Sequence, residues 1–153
     1  MSPELMQQML VASLAARAHS HSPYSGYAVG AAVLDEHGRI HVGANIENAA
    51  YPQGWCAEAT ALSALVMAGA KRATAVLVTG PGPEIITPCG GCRQKLREFA
   101  GGELLVIAGD PGGIRQQWTL AELLPFSFGP DHIAASRIEL TARSESPTLK
   151  TEN

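Results

Sequence analysis

All three cysteines of this chain fall where a helix is expected to begin, and that limits the folds open to it. The first place is Cys56-Ala57-Glu58, which opens an Ala-, Leu- and Met-rich stretch to Ala68, with Gly69 as a stop. The second is Pro88-Cys89-Gly90-Gly91-Cys92, which opens a helix over Gly90 to Phe99, ended near Gly101-Gly102. A Cys-x-x-Cys at a helix start directs both sulfurs toward one point, and the unpaired amides there favour thiolates. A thiolate from the other helix start completes three ligands only if the two N-termini converge. Three protein ligands leave zinc a fourth position for water, the arrangement of a catalytic rather than a structural site. Glu58, two residues after the first ligand, reaches that position without binding the metal.

The remaining pattern says what brings the two starts together. Residues 3–19 read as a first helix, capped by Ser2, with Pro3 at its first position, Glu4 at its positive end and one apolar stripe of Met6, Leu10 and Leu14. Residues 19–26 read as a loop. Tyr27 to Leu34 and Arg39 to Ala44 read as a hairpin about Asp35-Glu36-His37-Gly38. Ala75 to Thr79 and Leu104 to Ala108 are short apolar strands, and Leu120 to Leu124 is a helical turn stopped by Pro125. Apolar strands alternating with helices predict an α/β fold, a sheet covered by helices. With 153 residues the chain is expected to form one domain, over 1–136, followed by a polar tail over 137–153.

Charge and composition remove other classes. Lys and Arg number 11 against 14 Asp and Glu, a net charge of −3 that offers no basic surface for non-specific nucleic-acid binding. No apolar run approaches the roughly 18 residues of a membrane span, and the start of the chain does not read as a signal peptide. An odd number of cysteines without an export signal argues against a disulfide framework and for a cytoplasmic protein. A lone redox Cys-x-x-Cys lacks a partner Cys-x-Glu, and a structural zinc site normally needs a fourth Cys or His. The five histidines stand apart from both clusters in sequence.

A His or Cys, then x-Glu, then Pro-Cys-x-x-Cys is the signature of the zinc deaminases. From Tyr24 to Pro130 the chain resembles the small homotetrameric cytidine deaminases that use three cysteines for zinc. The resemblance rests on both cysteine motifs, on Tyr24-Ser25-Gly26-Tyr27-Ala28-Val29-Gly30-Ala31-Ala32, on Asn45-Ile46-Glu47-Asn48-Ala49 and on Leu123-Leu124-Pro125-Phe126-Ser127-Phe128-Gly129-Pro130. It implies a three-layer α/β/α fold with a mixed central sheet and helices on both faces. It also implies Zn²⁺ held by Cys56, Cys89 and Cys92, with Glu58 as acid and base. Asn45 and Glu47 would hold the ribose 3′-hydroxyl, and the Ala57 amide would bind the base carbonyl. Tyr27, where the family usually has Phe, would pack beside the ligand. Phe128 would reach the site of a neighbouring subunit. Arg93, Lys95 and Arg97 read as a solvated helix face.

Three positions depart from the family pattern. Ala59 stands where Arg commonly follows Cys-Ala-Glu, Pro52 where Gly is usual, and Trp55 where a smaller residue precedes the cysteine. The absent Arg would offset the charge of three thiolates, and Trp55 would narrow or reshape the base pocket. The expected reaction is hydrolytic deamination of a nucleoside, cytidine or 2′-deoxycytidine. The rivals are a modified cytosine or another aminated heterocycle, as in blasticidin S deaminase, and a thiol redox or metal-binding protein without hydrolysis.

Overall fold

A computed structural model of the chain describes residues 1–134. The expected boundary at 136/137 and the tail lie outside the described residues. The elements run α1 (Pro3–Arg17), β1 (Gly30–Asp35), β2 (Ile40–Ala44), a 3₁₀ turn (Tyr51–Gln53), α2 (Ala57–Met67), β3 (Ala73–Thr79), α3 (Gly90–Phe99), β4 (Leu105–Asp110), β5 (Gly113–Thr119) and α4 (Leu120–Leu123). The five strands form one sheet in the order β2-β1-β3-β4-β5. Only β3 and β4 pair in parallel; the other neighbours are antiparallel, so the sheet is mixed.

The alternation of each strand separates two cores. Ala32, Leu34, Ala75, Leu77 and Ile107 point to one face and pack with Met9 and Leu10 of α1. Ala31, Val33, Val76, Val78 and Val106 point to the other and pack with Ala61, Leu62 and Leu65 of α2 and Leu96 of α3. Helices therefore cover both faces, as the resemblance implied. Two glycines set how closely they sit. A Cβ on Gly30 would lie 2.1 Å from the Ser13 carbonyl oxygen of α1. One on Gly43 would lie 2.4 Å from both the Ala57 carbonyl oxygen and the Ala61 nitrogen of α2. The start of α2 thus rests directly on the backbone of β2.

Several expectations shift. Ser2 caps α1 through the Leu5 amide at 3.2 Å, but the helix ends at Arg17, and its buried line is Met9, Leu10, Ser13 and Ala16. Leu10 of the expected stripe belongs to that line, while Met6 and Leu14 flank it half-buried. The hairpin's first strand begins at Gly30, not Tyr27. Strand β5 went unpredicted because it is an edge strand whose Arg115, Gln116 and Gln117 are exposed and carry no apolar alternation. α4 carries a capping box between Thr119 and Glu122, the Thr-x-x-Glu spacing of a helix start.

Candidate metal centre

The sheet delivers its functional segments at one end. The chain leaves β2 at Ala44 and runs through Asn45 to Glu47 toward Cys56, and it leaves β3 at Thr79 and reaches Cys89 through a proline-rich loop. Gly30, Ala44 and Thr79 are cross-strand neighbours, so these departures are adjacent. Ligand sites of open α/β sheets commonly form where strand ends feed helix starts.

Cys56 is the N-cap of α2 and Cys89 the N-cap of α3, and neither side chain is spent capping its helix. Cys92 lies one turn further along α3. All three sulfurs lie within 4.8 Å of one another, with Cys56 and Cys89 at 3.9 Å. Tetrahedral zinc with bonds of about 2.3 Å places its sulfurs about 3.8 Å apart, so the donor set fits that ion. Among the described residues no histidine or carboxylate joins the cluster, which suits an open fourth position.

The electrostatics agree. The Cys56 thiol is pulled down to about 6, chiefly by its hydrogen bond with Cys92. That same bond, together with burial, pushes Cys92 far up. One thiolate is easy here and the next is hard, a resistance that a divalent cation removes. Glu58 is 4% exposed at the second position of α2, and the Cys92 thiol donates to its Oε2 at 3.4 Å. Burial raises the Glu58 carboxyl; the Cys92 hydrogen bond and the charge of Lys95 act in the opposite direction.

A cavity of about 280 Å³ opens on this cluster. Tyr27, Asn45, Cys56, Ala57, Glu58 and Cys89 line it, with Val29, Val78, Ile86 and Thr87 supplying the remaining wall. Five of the expected site residues therefore meet Cys89 around one space, and Cys92 sits buried behind it. The Ala57 amide is at the first position of α2, where a helix has no internal acceptor for it.

Glu47 and Phe128 lie elsewhere. Glu47 lines a neighbouring cavity of about 380 Å³ with Tyr24, Ser25, Asn48 and Tyr51. Its Oε2 accepts from the Tyr24 amide at 2.8 Å and the Ser25 amide at 3.2 Å, and its Oε1 accepts from the Ser25 hydroxyl. These bonds, the Ser25 hydroxyl first, hold its carboxyl below the usual range. Asn45 is equally engaged: its Oδ1 accepts from Val29 N at 2.8 Å and Ser20 Oγ at 2.6 Å, and its Nδ2 donates to the Tyr27 carbonyl at 2.9 Å. Together these two residues tie the loop over 20–29 to the end of β2. Phe128 is 60% exposed and stacks on His132 with centroids 5.2 Å apart.

Two readings are corrected. Trp55 does not reshape this cavity; it lines the groove between α2 and α3 with Ala59 and Lys95. Its backbone exchanges two 2.8 Å hydrogen bonds with Ile46, and this pairing leaves the ring on that side. Nor is the basic run simply solvated. Arg93 donates to the Pro88 carbonyl at 2.7 Å, the Leu123 carbonyl at 2.6 Å and Thr87 Oγ1 at 2.9 Å, locking the loop before Cys89 to α4. Arg97 pairs with Asp131 at 2.5 Å. No sequence signal names the partners of Arg93, one of which lies 30 residues away.

Comparison with known proteins points the same way. The family model described as the cytidine and deoxycytidylate deaminase zinc-binding region matches residues 3–108. A cytidine deaminase of Sporosarcina psychrophila is 38% identical over 131 residues, 84% of this chain and 95% of its own length. One from Mycobacterium tuberculosis is 39% identical over 122 residues, 80% of this chain and 88% of its own. The crystal structure of cytidine deaminase from Burkholderia pseudomallei is similar with a TM-score of 0.75 at 35% identity, covering 84% of this chain and all of that one.

Proposed function

Since the chain belongs to the cytidine and deoxycytidylate deaminase family, we propose that its centre performs that family's hydrolysis on a free nucleoside. The protein is a zinc-dependent enzyme that replaces the 4-amino group of cytidine or 2′-deoxycytidine by oxygen and releases ammonia. Cys56, Cys89 and Cys92 hold the metal, and zinc there supplies the Lewis acidity that makes water nucleophilic at neutral pH.

The chain's own residues handle orientation and protons. The Ala57 amide, free at the start of α2, donates to the base carbonyl. Tyr27 and Asn45 bound the cavity on the side facing the sugar. Glu58 accepts one proton from the attacking water and passes it to N3 of the base, then takes the second proton from the new 4-hydroxyl and gives it to the amine as the C4–N bond breaks and ammonia leaves. A carboxyl raised by burial suits a group that must both take and give a proton near neutrality. In this reading Glu47 positions the loop over 24–25 beside the ribose and reaches the 3′-hydroxyl when that loop yields its bonds.

The carrying observation is three sulfurs within 4.8 Å of one another, with the buried Glu58 carboxylate against one of them. Placing Trp55 outside the cavity removes the main steric argument for a modified base, so cytidine is preferred. The test is zinc content together with ammonia release from cytidine, 2′-deoxycytidine, cytosine and substituted cytidines. One zinc per chain with fastest release from cytidine or deoxycytidine is expected. Reversible dithiol oxidation without zinc would overturn the reading.

The working form we propose is a cytoplasmic homotetramer, each chain a single domain over 1–136 with a polar tail. Phe126 is completely exposed with a φ of 53°, and Phe128 follows it, mostly exposed. Two such rings on one segment support a site completed by a neighbouring subunit. Light scattering is expected to give about four times the 16.0 kDa chain mass; a monomer would sink the assembly and leave the chemistry standing. Among the described residues no helix is long and apolar enough to cross a membrane.

A further inference from the structure

The groove between α2 and α3 holds a cation that the catalytic reading does not use. Lys95 Nζ lies 5.4 Å from the centroid of the Trp55 ring. A Cβ on Gly91 would come 3.8 Å from the same nitrogen, so the ammonium sits against the first turn of α3, in the stretch between Cys89 and Cys92. Lys95 also follows Cys92 by three residues, which puts the two on neighbouring positions of one helix surface.

The opposite wall of the groove explains why such a charge is needed. Ala59 is 3% exposed and carries no charge toward the cluster. Zn²⁺ with three thiolates sums to −1, and with the Cys92 sulfur buried part of that charge lies out of water, where leaving it uncompensated is costly. The other cations of α3 are committed elsewhere, Arg93 to the loop before Cys89 and Arg97 to Asp131. Trp55 supplies the restraint that a flexible lysine lacks. Its backbone is pinned to Ile46 on both sides of the peptide, and its ring face attracts the ammonium.

We infer that Lys95, held over the Trp55 ring in the groove beside Ala59, is the positioning residue that balances the charge of the three-cysteine centre. The departures at Ala59 and Trp55 are then one arrangement: the alanine leaves the groove open, the lysine brings the charge, and the tryptophan holds it in place. The inference rests on the zinc reading above.

Zinc affinity tests it without reference to turnover. The full chain is stripped, reloaded and titrated against a chromophoric chelator at fixed pH. Lys95→Met is expected to weaken zinc binding about tenfold, the effect of one unit charge acting through partly solvated protein. Lys95→Arg, which keeps the charge, is expected to stay within about twofold of the native chain, and the gap between Met and native is expected to shrink as salt rises. If Lys95→Met does not fold, Lys95→Gln takes its place with the same expectation. Native affinity in the neutral variant would overturn the inference, as would an equal loss in Lys95→Arg, because the side chain would then act by shape. A native chain that bound no zinc would instead overturn the reading beneath it.

Discussion

The two buried carboxylates of the described core lie at opposite ends of the sheet, and their surroundings differ. Asp35, at the hairpin end, is 1% exposed and fully partnered. Its Oδ1 accepts from the His37 amide at 2.8 Å and the Arg39 amide at 2.9 Å; its Oδ2 meets Arg39 Nε at 2.7 Å and His41 Nε2 at 2.8 Å. Burial alone would raise its carboxyl, yet the bonds from His41 and Arg39 hold it well below the usual range. Glu58, at the metal end, is almost as deeply buried and has the Cys92 thiol as its side-chain partner. Its carboxyl goes up. Burial is common to both, so the partners decide whether a carboxylate is a fixed strut or a group able to move a proton.

The sharpest way to break this comparison is to neutralise each acid without changing its size. Glu58→Gln is expected to keep zinc and fold while deamination falls by about 10⁴-fold or more, since the amide cannot move protons. Ammonia release from the zinc-loaded variant checks this. Turnover at the native rate would mean that Glu58 is not the acid and base. Asp35→Asn is expected to leave the rate per folded molecule nearly unchanged, because the hairpin turn is at the far end of β1 from the cysteines.

The metal end was legible because its chemistry is written in contiguous motifs at helix starts, where a local rule also fixes the direction of the side chains. Cys56, Glu58, Cys89 and Cys92 needed no tertiary information beyond the convergence of two helices. Asn45 and Glu47 were identified, but their partners in the loop over 20–25 were not, since irregular segments some 20 residues apart meet with no periodic signal. The side on which Trp55 lies is not legible in the sequence, because its pairing with Ile46 is an isolated bridge outside any regular strand. The Asp35 cluster was invisible for a related reason. The hairpin was read, but the convergence of Arg39 and His41 on one carboxylate depends on a register that polar turn residues do not announce. β5 was lost because an edge strand buries too little to need apolar residues.

Stability gives the second test. Asp35→Asn leaves Arg39 without its ion pair and replaces one acceptor oxygen by a donor among the amides of the turn. A loss of about 3 kcal/mol is expected by urea unfolding at pH 7. The sign with pH follows from the lowered carboxyl. Asp35 contributes fully above its unfolded value of 3.8, and the contribution is lost as pH falls through the lower folded value. The stabilities of the native chain and the Asp35→Asn variant are therefore expected to run parallel above about pH 5 and to converge below about pH 4. A gap that stayed constant down to about pH 2 would show that the charge of Asp35 is not what holds the turn.

The smallest expected effect is the most discriminating, because the same substitution is predicted to act with opposite sign at the other end of the sheet. In the zinc-stripped chain Glu58 is a buried acid beside three sulfurs, and its ionised form has no cation in contact. Replacing it with Gln removes that charge while keeping the volume, at the expense of burying an amide with few partners. The balance is a gain of about 1 kcal/mol in the stripped protein at pH 7, since a buried charge with a thiol as its side-chain partner costs more than a sparsely bonded amide. Reloading zinc is expected to reduce or abolish the gain, because the cation then compensates the carboxylate. Urea unfolding of native and Glu58→Gln chains, each with and without zinc, reads all four values. If Glu58→Gln destabilised the stripped protein as Asp35→Asn does, Glu58 would be a strut after all, and the contrast between the two ends of the sheet would fail.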